Sequence, residues 1–416
     1  MDLPGYYEFC CRVKMIAGHD VLERIPEVLS HLNAGKPMIV TDKGVSGAGL
    51  INIVTDAVKS GIAVAAITDD VPPDSDLQVV NRLAQMYQEQ GCDSLIAVGG
   101  GSVMDTAKGI NIVVSEKADD LMKFSGANAL KRSLKPLIAI PTTAGTGSEV
   151  TLVAVIKDPE KHLKMAFVSY FLLPDVAIID PRMTLSLPPA ITAATGMDAL
   201  SHAVEAYTCL AKNPLSDAHA LAATELISSN LINVTRNPDD KNGRLAMANA
   251  ASLAGMAFSN SMVGMVHTIG HSVGSVCGVP HGACMAIFLP YGLEYNLHKN
   301  GDLSAELLLP LAGAEEYAKT PKNERAKKVI AFIRQMNQNL YDATGGRHAR
   351  CLKEVTDRNG KQMVPREKLP EIAKTALGDG SIFYNPEDLD YNDFLMVLEA
   401  AWEGKPLDTG RLKKDK

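Results

Sequence analysis

Ser94-Leu95-Ile96-Ala97-Val98-Gly99-Gly100-Gly101-Ser102-Val103-Met104-Asp105-Thr106-Ala107-Lys108 decides the architecture. Its apolar run reads as a strand covered on both faces. Three glycines stop the strand, and a helical pattern follows at once. Similar runs flank it: Pro37-Met38-Ile39-Val40-Thr41 before Asp42-Lys43-Gly44, residues 61–67, and Pro136-Leu137-Ile138-Ala139-Ile140-Pro141. Helical periodicity lies between them, as over 77–90. Strands alternating with helices predict an α/β domain with a wound parallel sheet.

The pattern changes past residue 180. Pro181, Pro188 and Pro189 interrupt the chain, and alanine-rich helical segments follow over 190–211, 217–234 and 243–259. Strand signals nearly vanish. The reading is an α/β domain over residues 1–186 and an all-helical domain over 187–416, since 416 residues exceed one comfortable core. The formal charge of −7, with both signs interspersed, excludes nucleic acid as an expected partner. No membrane span is expected, because the most apolar segment is short and broken by Ser259, Asn260, Ser261 and Gly264. Seven cysteines with no Cys-x-x-Cys pair argue against a disulfide scaffold and for a reducing cytoplasm, and no secretory leader is visible. The basic run over 411–416 reads as a frayed tail.

Two loops invite a nucleotide. The glycines after Val98 leave backbone N–H groups open to an anion at a helix N-terminus, which suits a pyrophosphate. A plain strand-to-helix turn would use the same residues. The stretch is neither Gly-x-Gly-x-x-Gly nor a Walker loop. A second loop, Pro141-Thr142-Thr143-Ala144-Gly145-Thr146-Gly147-Ser148-Glu149, also follows a strand and is dense in hydroxyls. It either binds ligand or bonds to itself. Two such loops after parallel strands would meet at one sheet edge, where wound folds bind ligands.

The helical half holds a second constellation. Asp198 and His202 are four apart, as are His267 and His271, and His281 follows in Val279-Pro280-His281-Gly282. Residues four apart share a helix face. A carboxylate with several imidazoles in apolar helices suits a divalent first-row metal, whereas any single pair would also serve as an internal hydrogen bond.

Taken together, the stretches GGGSVMDTAKGI, PTTAGTGSEVT, ATGMDALSHAVEAY and HTIGHSVG…PHG resemble the iron-containing (group III) alcohol dehydrogenases, a family that includes lactaldehyde reductase and 1,3-propanediol dehydrogenase. The resemblance implies a dehydroquinate synthase-like α/β domain and a helical domain, with cofactor and metal in a cleft between them. It implies metal ligands at Asp198, His202, His267 and His281, with His271 beside the nicotinamide as a proton-relay residue. It implies cofactor contacts from Gly99, Gly100, Gly101 and Ser102, with Asp105 nearby, and from Thr142, Thr143, Thr146, Ser148 and Lys164. Asp42 matches a residue that contacts the adenosine ribose, where a carboxylate favours NAD over NADP. Fe(II) is the expected ion, with Zn(II) or another divalent metal as the alternative.

This chain departs from its relatives at Asp74, usually Asn, and at Val276-Cys277, usually an aromatic pair. The expected activity is hydride exchange between NAD(P) and a small primary alcohol, diol or aldehyde, carried out by a homo-oligomer. A metal-dependent hydrolase would use the same ligands to activate water but would leave both loops unexplained. A non-catalytic scaffold would leave the ligands unexplained.

Overall fold

The computed structural model describes residues 4–59, 62–158 and 163–408, so the basic run at 411–416 lies outside the described residues. The chain forms two compact units. The first comprises Cys10–Leu187 and Asp240–Ser259. Its strands are β1 (Lys14–Ala17), β2 (Pro37–Val40), β3 (Ala66–Thr68), β4 (Ser94–Gly99), β5 (Gly126–Ala127), β6 (Leu137–Pro141), β7 (Val153–Asp158), β8 (Leu163–Val168) and β9 (Val176–Ile179). Six of them form an all-parallel sheet in the order β1-β9-β6-β4-β2-β3.

Successive side chains of these strands point to opposite faces, and both faces are covered. Met38, Leu95, Ala97, Leu137 and Ala139 pack into one core with residues of α4 (Leu77–Glu89) and α5 (Gly101–Glu116). Ile39, Ile96, Val98, Ile138 and Ile140 pack into another with α1 (Ile25–His31) and α3 (Leu50–Val58). That two-sided burial is why β2, β4 and β6 read as unbroken apolar runs. The short α2 (Lys43–Gly47) starts at Asp42, whose Oδ1 accepts from Val45 N at 3.0 Å.

Two expectations need correction. The strand expected over 61–67 pairs only as β3, Ala66–Thr68. Residue 61 lies outside the described set, and residues 62–65 are irregular. β3 is an edge strand, with Ile67 45% exposed, so apolarity there did not mark pairing. A second sheet, β5-β8-β7, was not foreseen. β7 alternates buried and open positions against antiparallel β8, the pattern of a sheet with one covered face.

The second unit holds α6 (Pro189–Thr208), α7 (Pro214–Arg236), α9 (Met265–Cys277), α10 (His281–Glu306), α11 (Leu308–Lys319), α12 (Arg325–Ala343), α13 (Leu369–Ala376) and α14 (Tyr391–Glu403). No extended strand occurs in it among the described residues. The intervening helix, α8 (Lys241–Ser259), belongs to the α/β unit, so one cut at residue 186 does not describe the partition. The reason is close packing. Gly147, at φ +61°, lies so near α8 that a β-carbon would come 2.6 Å from Gly255 Cα. Ser252 Oγ donates to Glu149 at 2.6 Å, and Ser259 Oγ accepts from Leu152 N at 3.1 Å.

Candidate metal centre and nucleotide loops

α6 runs through the helical unit with almost every side chain buried after Gly196. Positions 198, 202 and 205 recur at i, i+4 and i+7, so Asp198, His202 and Glu205 share one face. α10 packs against both α6 and α9, which brings His267 from the start of α9 and His281 from the first residue of α10 to that face. Each of Asp198, His202, His267 and His281 offers one ligand-type atom, and these atoms all lie within 4.8 Å of one another. His281 Nε2 is 3.2 Å from Asp198 Oδ1, and the rings of His202 and His267 stack at 4.5 Å between centroids. His271 is not among the four. Its ring stacks on His281 at 5.3 Å and is nearly half exposed, and its Nδ1 meets Asp379 Oδ2 at 2.8 Å.

Electrostatics sort these groups. Burial alone would raise the Asp198 carboxyl, but the surrounding imidazoles of His202, His281 and His267 outweigh it and hold the group well below the ordinary carboxylate range. Burial pulls His202 down to about 3, and it takes His267 well below its usual value. At neutral pH the aspartate is charged and these two imidazoles are neutral, the protonation state that a metal ligand requires. Glu205 is raised by burial to about 7 against the pull of its backbone donors. His267 Nδ1 is hydrogen-bonded to Glu205, and its Nε2 is buried with no hydrogen-bond partner. A buried nitrogen without a partner is costly unless a ligand completes it. These residues therefore fit a divalent cation.

The α/β unit gathers its loops by register. β4 and β6 are adjacent and parallel, with Gly99 opposite Pro141, and Thr142 N donates to Gly99 O at 3.1 Å. A β-carbon on Gly100 would lie 3.3 Å from Thr143 Oγ1, and one on Gly101 3.1 Å from Thr146 Cγ2, so the two loops touch. Asp42 ends neighbouring β2 at the same carboxyl edge. The chain runs outward from β2 to β3 and then crosses to β4, so this edge is a topological switch point.

Thr143, Thr146, Ser102 and the glycines line this edge, with Thr142 buried below it. Asp105 and Ser148 sit differently from the rest. Ser148 Oγ donates to Asp105 Oδ1 at 2.9 Å, and Asp105 Oδ2 accepts from Val155 N at 2.9 Å. Both oxygens of Asp105 are taken by the protein, so it ties α5 to the second loop rather than reaching a phosphate. Lys164 stands on β8, where its Nζ is 3.0 Å from Asp74 Oδ1, while Asp74 N donates to Ser102 Oγ at 3.1 Å.

Comparison with known proteins shows the family. Residues 13–181 match the family model described as iron-containing alcohol dehydrogenase, and residues 192–402 match the C-terminal model of the same family. The chain belongs to the iron-containing alcohol dehydrogenase family. It is 35% identical to the 1,3-propanediol dehydrogenase of Klebsiella pneumoniae, over 92% of this chain and 96% of that one. It is 33% identical to alcohol dehydrogenase 4 of Saccharomyces cerevisiae, over 93% and 96% respectively. The solved structure of an alcohol dehydrogenase from Oenococcus oeni superposes with a TM-score of 0.88 at 34% identity, covering 95% of this chain and all of the other, 100%.

The protein is thus an alcohol dehydrogenase with the fold of its family, and the hydrolase alternative finds no support among these relatives. Three residues of this alcohol dehydrogenase escaped the reading of its sequence. Glu205 had a visible signal, a carboxylate one turn beyond His202 on an apolar helix. Asp379 had none, since it meets His271 from 108 positions away. Lys108 carried no signal of its own, yet its ammonium is buried and donates to Ser148 Oγ, Thr151 O, Thr151 Oγ1 and Val153 O at 2.8–3.3 Å.

Proposed function

We propose that this alcohol dehydrogenase interconverts small primary alcohols or diols and their aldehydes, with NAD as hydride carrier and a divalent ion, Fe(II) before Zn(II), held by Asp198, His202, His267 and His281. The observation that carries the metal reading is the buried, unpartnered Nε2 of His267 inside a cluster of three neighbouring donors. When bound, the ion would supply Lewis acidity that lowers an alcohol's pKa and polarises an aldehyde, and NAD would accept or return the hydride.

The chain's own residues do the rest. Asp198 contributes the charge that balances a cation, and Glu205 keeps the His267 ring in place. His271 would take the hydroxyl proton at Nε2 and pass it to solvent; its contact with Asp379 at Nδ1 and its exposure support that role. Gly99, Gly100, Gly101 and Ser102 would take the pyrophosphate on backbone N–H groups and a hydroxyl. Thr142, Thr143, Thr146 and Lys164 would line the rest of the cofactor, with Asp105 and Ser148 bracing the loops. Asp42 would bond ribose hydroxyls and repel a 2′-phosphate, which favours NAD over NADP.

A homo-oligomer in a reducing cytoplasm agrees with this reading. All seven cysteines are free, and among the described residues no helix is long and apolar enough to cross a membrane.

The test is NADH formation followed by absorbance over a panel of primary alcohols and diols. The protein is reconstituted anaerobically with Fe(II), then with Zn(II), then left metal-free. Metal-dependent NADH formation is expected, and turnover equal in the metal-free protein would sink the metal reading. Activity with NADP alone would sink the cofactor assignment.

A further inference from the structure

α9 lacks a cap of its own. Its N-cap is Gly264, with no side chain to accept from the first turn. The first intrahelical bond is Thr268 N to Gly264 O, so four N–H groups upstream need other acceptors. All four find them on distant elements. Glu205 Oε1 accepts from Gly264 N at 3.1 Å and from Val266 N at 2.8 Å, and Glu205 Oε2 accepts from His267 N at 3.3 Å. Asn385 Oδ1 accepts from Met265 N at 3.2 Å and is itself held by Asn296 at 2.9 Å. Of these two capping residues, Glu205 also engages the His267 ring, through Nδ1.

One carboxylate therefore meets both the backbone that carries His267 and the Nδ1 of its ring. We propose that Glu205 is the positioning residue of the metal centre. By accepting at Nδ1 it holds the proton there, keeps the Nε2 lone pair directed into the Asp198–His202–His281 cluster, and so sets the affinity for the ion. The inference rests on the metal reading above. An imidazole carries one proton between its two nitrogens when neutral, so a partner that accepts at Nδ1 leaves Nε2 as the donor to metal. When ionised, the carboxylate also raises the basicity of that nitrogen, and it sits at the positive end of α9.

Glu205→Gln inverts the ring contact while keeping two of the three backbone caps, losing only the long bond from His267 N. The amide oxygen still accepts from Gly264 N and Val266 N, but an NH₂ now faces Nδ1. Nδ1 must then accept, the proton moves to Nε2, and the lone pair for the metal is lost. Co(II) binding to the full-length protein, followed by chelator competition and by the d–d absorption band, is the readout. Glu205→Gln is expected to raise the Co(II) dissociation constant about 10–100-fold and to change the band. Asn385→Ala, which removes a capping acceptor together with the Asn385 bonds to Asn296 and Glu387 but leaves the His267 ring contact, is expected to lower thermal stability with Co(II) affinity unchanged.

Wild-type affinity and band in folded Glu205→Gln would overturn the proposal, as would an equal loss of affinity in Asn385→Ala. If Glu205→Gln does not fold, nitrogen-15 chemical shifts of the His267 ring in metal-depleted wild type decide. Protonated Nδ1 is expected, and protonated Nε2 overturns the proposal. Wild type that binds no Co(II) would overturn the metal reading itself.

Discussion

The two units each bury a knot of charged side chains, and the knots end differently. Beneath the loops of the α/β unit, Lys108 places its ammonium among four protein oxygens, with Asp105 and Glu149 as its counter-charges. In the helical unit, Asp198 and three imidazoles converge on a point, and His267 Nε2 has no protein partner at all. A buried polar group that the fold satisfies braces the fold, whereas one left open within a cluster of ligand-type atoms suits an ion. Both networks look alike as lists of charged residues. Only the bookkeeping of donors and acceptors tells scaffold from site.

Substitutions in the two knots test that distinction. His267→Ala should abolish metal loading and cut kcat/KM about 10³-fold or more, because the Lewis acid contributes several kcal/mol to the barrier. The fold should survive. Metal content by mass spectrometry beside circular dichroism checks this, and equal metal in variant and wild type would remove His267 from the ligand set. Lys108→Met should do the reverse. It leaves Asp105 and Glu149 buried without their cation, so stability should fall by about 3 kcal/mol or more, while metal per folded chain stays at the wild-type value. A chemical denaturation curve with parallel metal analysis decides, and lost metal in a fully folded variant would break the comparison.

His271→Ala sharpens the boundary of the metal cluster. It should lower kcat about 10²-fold while leaving metal affinity within about twofold, the mark of a proton carrier rather than a ligand. Imidazole added to the assay should restore part of the rate. The smallest effect is expected at the surface. Asp74 holds Lys164 at 3.0 Å, with both side chains about half exposed. Asp74→Asn frees that lysine and removes a negative charge beside Ser102, so NAD should bind about threefold tighter, an effect that fades in high salt. NADH fluorescence titration at low and high ionic strength measures it, and unchanged affinity would show that the pair is indifferent to the cofactor.

Much of this protein is legible in its residues alone. Strands buried on both faces must be apolar at every position, so β2, β4 and β6 announced themselves, and the glycines and threonines after them marked the loops. Spacings of four marked Asp198 with His202 and His267 with His271, because helix geometry turns a short interval into a shared face, whereas the choice of Asp198, His202, His267 and His281 as ligands came from the family resemblance. β7 was missed because one-sided burial leaves only alternation, and β3 was drawn too long because apolarity persists beyond the residues that pair.

What only tertiary structure decided are relations between distant positions. That α8 packs with the sheet follows from two bare glycine backbones meeting at Gly147 and Gly255, 108 positions apart in sequence. That Asp105 braces rather than binds follows from donors on β7 and the second loop. That Glu205 governs His267 follows from backbone N–H groups about 60 positions downstream, which no spacing rule reaches. Local sequence dictates periodicity and turn chemistry, since those depend on neighbours along the chain. Satisfaction of buried polar groups depends on neighbours in space, and the fold alone supplies them.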